Sequence, residues 1–145
     1  MTADEARAFL AQERVVTCAT NGPRGWPHLM PLWYVVRGDE VWAWTFAKSQ
    51  KVRNLERDAR ATLQVETGES YDQLRGVMLE CEAAVHRDVD AVTDLGLEIY
   101  RKYTGADLGD EARSMVLAQA PKRVGLQFVE RRRATWDHRK LGGVY

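Results

Sequence analysis

The run WPHLMPLWYVVRGDEVWAWTFAKSQKVRNL, residues 26–55, decides how this chain is built. It reads as a strand from Trp26 to Val36, a turn at Arg37-Gly38-Asp39-Glu40, a second strand from Val41 to Thr45 and a short basic helix from Ser49 to Asp58. Ser49 occupies the capping position of that helix, between Lys48 and Lys51. Cations at a helix start face the positive end of the peptide dipoles and are repelled unless an anion is present. The open amides of the first turn would hold such an anion. The pattern therefore points to a phosphate-sized group at Ser49, Gln50 and Lys51, against the plainer reading of Lys48, Lys51 and Arg53 as a solvated helix face.

From Leu29 to Val36 the first of these strands is apolar on both faces, so it needs a cover on each side. One face meets a barrel core. The other predicts a second subunit, a helix or a flat ligand. Pro31 cannot donate to a β-ladder, so it marks either an edge or a break in the strand. In both cases the backbone of Met30, Pro31, Leu32 and Trp33 is left partly unpaired and open to a ligand.

The flanking segments supply a barrel around this unit. Thr2 and Glu5 have capping-box spacing, and Ala6, Phe9 and Leu10 give residues 3–12 an apolar helical stripe suited to closing a barrel end. Val15 to Thr20 is a β-branched strand followed by turn residues 21–25. Arg60 to Glu66 and Val77 to Arg87 alternate as half-buried strands, separated by a polar loop from Thr67 to Gly76. Asp88 caps a helix from Val89 to Thr104, striped by Val92, Leu95, Ile99 and Tyr103 and stopped by Gly105. Asp110 caps a further helix from Glu111 to Ala120, which Pro121 closes. Arg123 to Arg133 is the last strand. The tail RRRATWDHRKLGGVY, residues 131–145, carries Trp136, Leu141 and Tyr145, which predict docking, across a dimer among other surfaces, over fraying. Six strands, with two helices between the fifth and sixth, predict a small, mostly antiparallel barrel in a single domain over residues 1–145.

Composition narrows the function. Twenty-one basic and 21 acidic residues cancel, which argues against a dedicated nucleic-acid binder. His28, His86 and His138 are scattered without metal-ligand spacing, so no metal site is expected. Cys18 and Cys81 sit in strands with no CxxC pattern and read as buried, reduced thiols. No signal pattern opens the chain and no apolar run is long enough to span a bilayer, so a soluble, cytoplasmic protein with no membrane partner is expected. His86 reads as a surface residue at a strand end.

Four runs carry a resemblance: GPRGWPHLMPLWYV at 22–35, KSQKVRNLERDARATL at 48–63, YDQLRGVMLECEA at 71–83 and WDHRKLGG at 136–143. With them the chain resembles the FMN-binding split-barrel superfamily, the pyridoxamine 5'-phosphate oxidase-like proteins. Within it, the chain is most similar to the actinobacterial flavin/deazaflavin oxidoreductases that bind coenzyme F-420. The resemblance implies a six-stranded antiparallel split β-barrel with peripheral helices, assembled as a homodimer with cofactor sites at the subunit interface. It implies a ring along Met30, Pro31, Leu32 and Trp33, and a phosphate against Thr45, Lys48, Ser49, Lys51, Val52 and Asn54, with Lys51 foremost. Trp136 and Lys140 would reach a site from the tail.

The implied function is a deazaflavin (F-420)-dependent oxidoreductase that transfers a hydride between the cofactor and a small organic acceptor. Two alternatives stand beside it: an FMN-dependent oxidoreductase of the same fold, and a non-catalytic flavin or deazaflavin carrier. No catalytic side chain is assigned. Tyr71 is a candidate proton donor, and Arg24, Arg53 and Arg131–Arg133 are candidates to meet the acidic tail of the deazaflavin. The chain departs from true pyridoxamine phosphate oxidases in its shorter length and the lack of their substrate-binding tail motif, so oxidation of a vitamin B6 phosphate is not implied.

Overall fold

The computed structural model describes residues 1–105 and 108–143. Helix α1 (Ala3–Gln12) opens with the expected capping box: the Glu5 amide donates to the Thr2 hydroxyl and the Thr2 amide to the Glu5 carboxylate. Then come β1 (Val15–Asn21), β2 (Pro27–Arg37), β3 (Glu40–Phe46), α2 (Gln50–Arg57), β4 (Arg60–Thr67) and β5 (Arg75–His86). Helices α3 (Val89–Thr104) and α4 (Asp110–Gln119) precede β6 (Arg123–Asp137). The strands close an antiparallel barrel in the order β1-β2-β3-β6-β5-β4. This is the mostly β, six-stranded barrel expected. No helix among the described residues is long and apolar enough to cross a membrane.

Side-chain alternation fills the barrel with Val16, Cys18, Tyr34, Leu63, Val65, Val77, Leu79, Leu126 and Phe128, and α1 plugs one end with Phe9 and Leu10. A second core forms outside, where α3 lies on β2 and β3 through Val35, Trp44, Val92, Leu95 and Ile99. Gly96 permits that approach, since a Cβ there would come within 2.4 Å of the Trp44 ring. Tyr34 joins three elements. Its hydroxyl donates to the Leu10 carbonyl of α1 at 2.5 Å, and its amide donates to the Tyr103 hydroxyl of α3 at 3.3 Å. Its carbonyl accepts from Lys102 Nζ at 3.3 Å.

Three expectations are corrected. The last strand runs four residues past Arg133, to Asp137. A bulge hides the extension: Glu80 faces Arg132 while Cys81 faces Glu130, so Arg131 is an extra residue and the alternation slips. Asp110 is the first residue of α4, and the cap is Gly109, with no side-chain bond. His86 is half-buried, stacked on Trp42 at 5.0 Å, with its Nε2 bonded to Gln127 Oε1 at 2.9 Å.

The tail docks on its own chain. Trp136 pairs with Gly76 and lays its ring over it, within 2.4 Å of where a Cβ would stand. Beyond it, the His138 amide donates to the Leu74 carbonyl and Lys140 Nζ to Glu5 of α1, at 2.9 and 2.6 Å. Tyr145, the last apolar residue of the tail, lies outside the described residues.

Candidate functional site

The barrel is open along one seam. Strand β2 pairs with β1 from Pro27 to Trp33, but with β3 only from Tyr34 to Arg37. Strand β3 in turn pairs with β6 through Trp44, Thr45 and Phe46, a stretch that has no β2 partner. Two free backbone edges therefore diverge from Tyr34 and Ala43, where their pairing stops. Pro31 lies on one of them, opposite Thr17 of β1, as an edge position requires. Within one subunit, both faces of β2 are covered near the vertex, where Tyr34 and Val35 are buried. Along the open edge Leu29, Met30 and Trp33 are 57%, 43% and 45% exposed.

Helix α2 begins at the foot of this seam. The Ser49 hydroxyl accepts from the Val52 amide at 3.4 Å, and the Ser49 carbonyl takes the Arg53 amide at 3.3 Å. The amides of Gln50 and Lys51 precede the first intrahelical bond and point out of the helix start. The Val52 amide, near the phosphate position that the resemblance implies, is engaged by Ser49, which leaves those of Gln50 and Lys51 outward. Lys48 is exposed beside them.

Lys51 turns inward. Its side chain is buried and its Nζ donates to Thr45 Oγ1 at 2.8 Å. Burial pushes the ammonium below the ordinary lysine range; the nearby Cys18 thiol opposes the shift and the Arg123 charge adds to it. Cys18 itself is raised to about 12 by burial, so it stays a neutral thiol. No carboxylate among the described residues pairs with Lys51. Asn54, also buried, ties the helix to the barrel: its Nδ2 donates to Thr20 Oγ1 at 3.0 Å and its Oδ1 accepts from Gln50 Nε2 at 2.8 Å. Asn54 thus positions Gln50 rather than facing the seam.

Beside Gln50 a cavity of about 140 Å³ is lined by Arg24, Trp26 and His28 among others. His28 Nδ1 is buried there without any hydrogen-bond partner. Such an orphan is normally satisfied by water or a ligand. An unpaired strand edge, two outward amides, a buried ammonium without a counter-ion and an orphaned ring nitrogen together fit a planar molecule carrying a phosphate.

A larger cavity, of about 470 Å³, lies on the outer face of β1, β4 and β5. Its charges are already matched, Glu82 with Arg131 and Arg60 with Asp58.

A family model, that of pyridoxamine 5'-phosphate oxidase, matches residues 2–139. The chain belongs to the pyridoxamine 5'-phosphate oxidase family. A solved structure of the conserved hypothetical protein Rv2991 from Mycobacterium tuberculosis is 43% identical to it over 100% of this chain and 90% of that one, with a TM-score of 0.90. At the level of fold alone, an F-420 reductase matches at 19% identity and TM-score 0.69, over 88% of this chain and 94% of that one. The heme storage protein HutZ from Vibrio cholerae matches at 13% identity and TM-score 0.70, over 93% of both chains. No protein of curated function matches the chain in sequence.

Within one subunit this family fold gathers Met30 to Trp33, Thr45, Lys48, Ser49 and Lys51 around the seam, and leaves Trp136 elsewhere. Phe46, at the seam, pairs with Arg123 at the start of β6, while Trp136 lies at its other end, roughly 40 Å of strand away. Lys140 is held by Glu5, and Tyr71 sits on the 3-10 turn Tyr71–Gln73, against His138. The arginines proposed to meet an acidic tail are partly engaged: Arg131 with Glu82, Arg132 with Glu80 and Arg133 with Glu130. The three histidines form no metal cluster, and none is found among the described residues. Cys18 and Cys81 are buried free thiols, as expected.

The sequence reading missed an aromatic group at the head of the seam. Trp33 stacks on Tyr103 at 4.2 Å, and Tyr100 stands edge-on to both Trp33 and Trp44. The Arg123 guanidinium lies over Trp44 and Phe46. Tyr103 was legible only as part of a helical stripe, Tyr100 only as a residue of that helix, and Arg123 only as the first residue of a strand.

Proposed function

We propose that the chain is an oxidoreductase that binds coenzyme F-420 along the open seam and uses it to reduce a small organic acceptor. The observation that carries the reading is the buried Lys51 ammonium, without a counter-ion, next to the outward amides of Gln50 and Lys51. A buried cation lacking an anion is costly, and a phosphate seated there offsets that cost. Thr45, Lys48 and Ser49 complete the phosphate cradle, and Met30, Pro31, Leu32 and Trp33 offer backbone hydrogen bonds to the ring edge. When bound, the deazaflavin supplies a hydride that, with one proton from solvent, reduces an electron-poor double bond by two electrons. The protein's part is to orient the ring, to keep water from one face and to neutralise the phosphate.

A homodimer accompanies this reading. Thr17, Ala19, Leu29, Thr62, Gln64 and Met78 form an uncharged patch on one outer barrel face through the pairings of β1 with β2 and β4 and of β4 with β5, bordered by Glu80 opposite Thr62. A second copy seated on that face is the route by which a partner's tail, with its Trp136, would reach the seam. Sedimentation should then give twice the chain mass.

FMN is the second reading, because the same cradle suits its phosphate. Titration of the purified protein with F-420 and with FMN, followed by visible absorption, separates the two. Tighter binding of F-420 and turnover of an artificial acceptor support the proposal. Preference for FMN overturns the choice of cofactor, and binding without turnover leaves a carrier of the kind the alternatives include.

A further inference from the structure

The side chains on the outer lip of the seam have chemistry that phosphate and ring binding do not use. Trp33 and Val35 of β2 point outward, as do Trp44 and Phe46 of β3 and Arg123 of β6, whose inward neighbours Val124 and Leu126 fill the barrel. Tyr100 of α3 bridges the seam from this side, with ring centroids 6.0 Å from Trp33 and 6.3 Å from Trp44. Tyr103 stacks behind Trp33 with planes only 8° apart. The exposed members, Trp33 at 45% and Phe46 at 50%, leave an aromatic shelf open to solvent.

Arg123 gives this shelf a charge. Its Cζ lies 4.6 Å from the Trp44 centroid and 4.3 Å from that of Phe46, so the guanidinium rests on both rings. Its Nε donates to Gln119 Oε1 at 3.3 Å, and no carboxylate among the described residues forms an ion pair with it. Nine other basic residues among the described residues are matched to acids. A guanidinium resting over aromatic rings, with its Nε taken by Gln119, still offers its two terminal amino groups to grip a carboxylate.

We propose that this shelf binds a planar aromatic carboxylate or similar flat anion, stacked on Trp33 and Phe46 with its acid group against Arg123. This deepens the proposed function, on which it rests for the bound molecule's role as hydride acceptor. The binding itself needs no cofactor. It involves cation and ring chemistry on the outer lip, separate from the Lys51 cradle inside.

The test is a cofactor-free titration of the whole chain with 2-naphthoate and with 2-naphthamide, followed by NMR through the indole N–H signals of Trp33 and Trp44. The acid is expected to bind at least about 10-fold more tightly than the amide, a difference of about 1.4 kcal/mol, and to move both indole signals. Arg123→Gln should bring the acid to the affinity of the amide without changing the amide itself, and Arg123→Lys should keep part of the preference. Equal affinities in the wild type, a preference that survives Arg123→Gln, or shifts confined to other indoles would overturn the inference. Lys51→Met, which removes the cation of the inner cradle, should leave the preference for the acid in place, and its loss there would overturn the inference. If neither cofactor binds the wild type while the naphthoate preference holds, the proposed function fails and this binding site stands.

Discussion

Lys51 Nζ and Thr45 Oγ1 lie 2.8 Å apart, a buried ammonium answered among the described residues only by a hydroxyl. An ion pair would offset the cost of burial, and a hydroxyl does so only in part. The folded protein is thus built with a cation it does not itself neutralise. Replacing Lys51 by Met should leave stability unchanged or raise it by about 1 kcal/mol, because a buried charge becomes a buried thioether. The same change should weaken FMN on the order of 10- to 100-fold and riboflavin far less, since charge-assisted bonds to phosphate contribute about 1.5–3 kcal/mol each. Urea unfolding and parallel titrations with the two flavins measure both effects. Equal weakening of FMN and riboflavin would remove Lys51 from the phosphate site.

Gly96 controls how closely α3 approaches the seam. A methyl group there would meet Trp44 Cζ3 at 2.4 Å and Cη2 at 2.7 Å, and Trp44 is held by Tyr100 and Arg123 on its other sides. Gly96→Ala should therefore destabilise the protein by about 1–3 kcal/mol, despite the better helix propensity of alanine. Trp44→Leu in the same chain should recover part of that loss. Denaturant midpoints of the two single variants and the double variant check this, and additive losses would show that the two residues do not oppose one another.

The sequence pattern disclosed much of the frame and less of the site, for identifiable reasons. Strands β1, β4 and β5 and helices α1 to α3 announce themselves through alternation, caps and Gly105, because each buries one face against a single core. The end of β6, residues 134–137, did not, since the bulge opposite Glu80 and Cys81 breaks the alternation just before it. The seam was foreseen from Pro31 and from the doubly apolar β2. Of its inner lining, Lys51 was expected at the helix start and Thr45 through the family resemblance; an amphipathic pattern alone leaves Lys51 on a helix surface, and the barrel end shows that it folds inward to Thr45. Arg123 carried no signal at all, because a basic residue opening a strand is commonplace and its meaning depends on Trp44 and Phe46 lying under it.

Lys102 makes the stability of the head of the seam depend on pH. Its Nζ donates to the Tyr34 carbonyl at 3.3 Å and sits 3.9 Å from the Tyr34 ring centroid. Burial first, and the Arg14 charge second, bring its pKa down to about 8. The unfolded chain keeps this proton to about 10.4. Below pH 8 both states are charged and the penalty on the folded form is complete. Between about 8 and 10.4 the unfolded chain holds more protons, so stability contributed by this group rises with pH. The stability difference between wild type and Lys102→Met, taken from urea unfolding at steps from pH 7 to 10, should shift in favour of the wild type across that window. A difference that stays flat would place the Lys102 titration outside it.

Arg131 and Arg132 test whether the outer face of β6 belongs to the cofactor. They pair with Glu82 and Glu80 at 3.1 and 2.9 Å, with side chains 60% and 72% exposed. Ion pairs this accessible contribute about 0–1 kcal/mol, because water and salt screen them and long side chains lose freedom to form them. The double variant Arg131→Ala with Arg132→Ala should therefore lower stability by no more than about 1 kcal/mol. Affinity for F-420 should remain within about twofold of the wild type, since the matched glutamates leave little net charge for an oligoglutamate chain to find. Titrations with F-420 species of short and long tails would register the opposite case as a loss that grows with tail length, and that result would move the acidic tail onto this face.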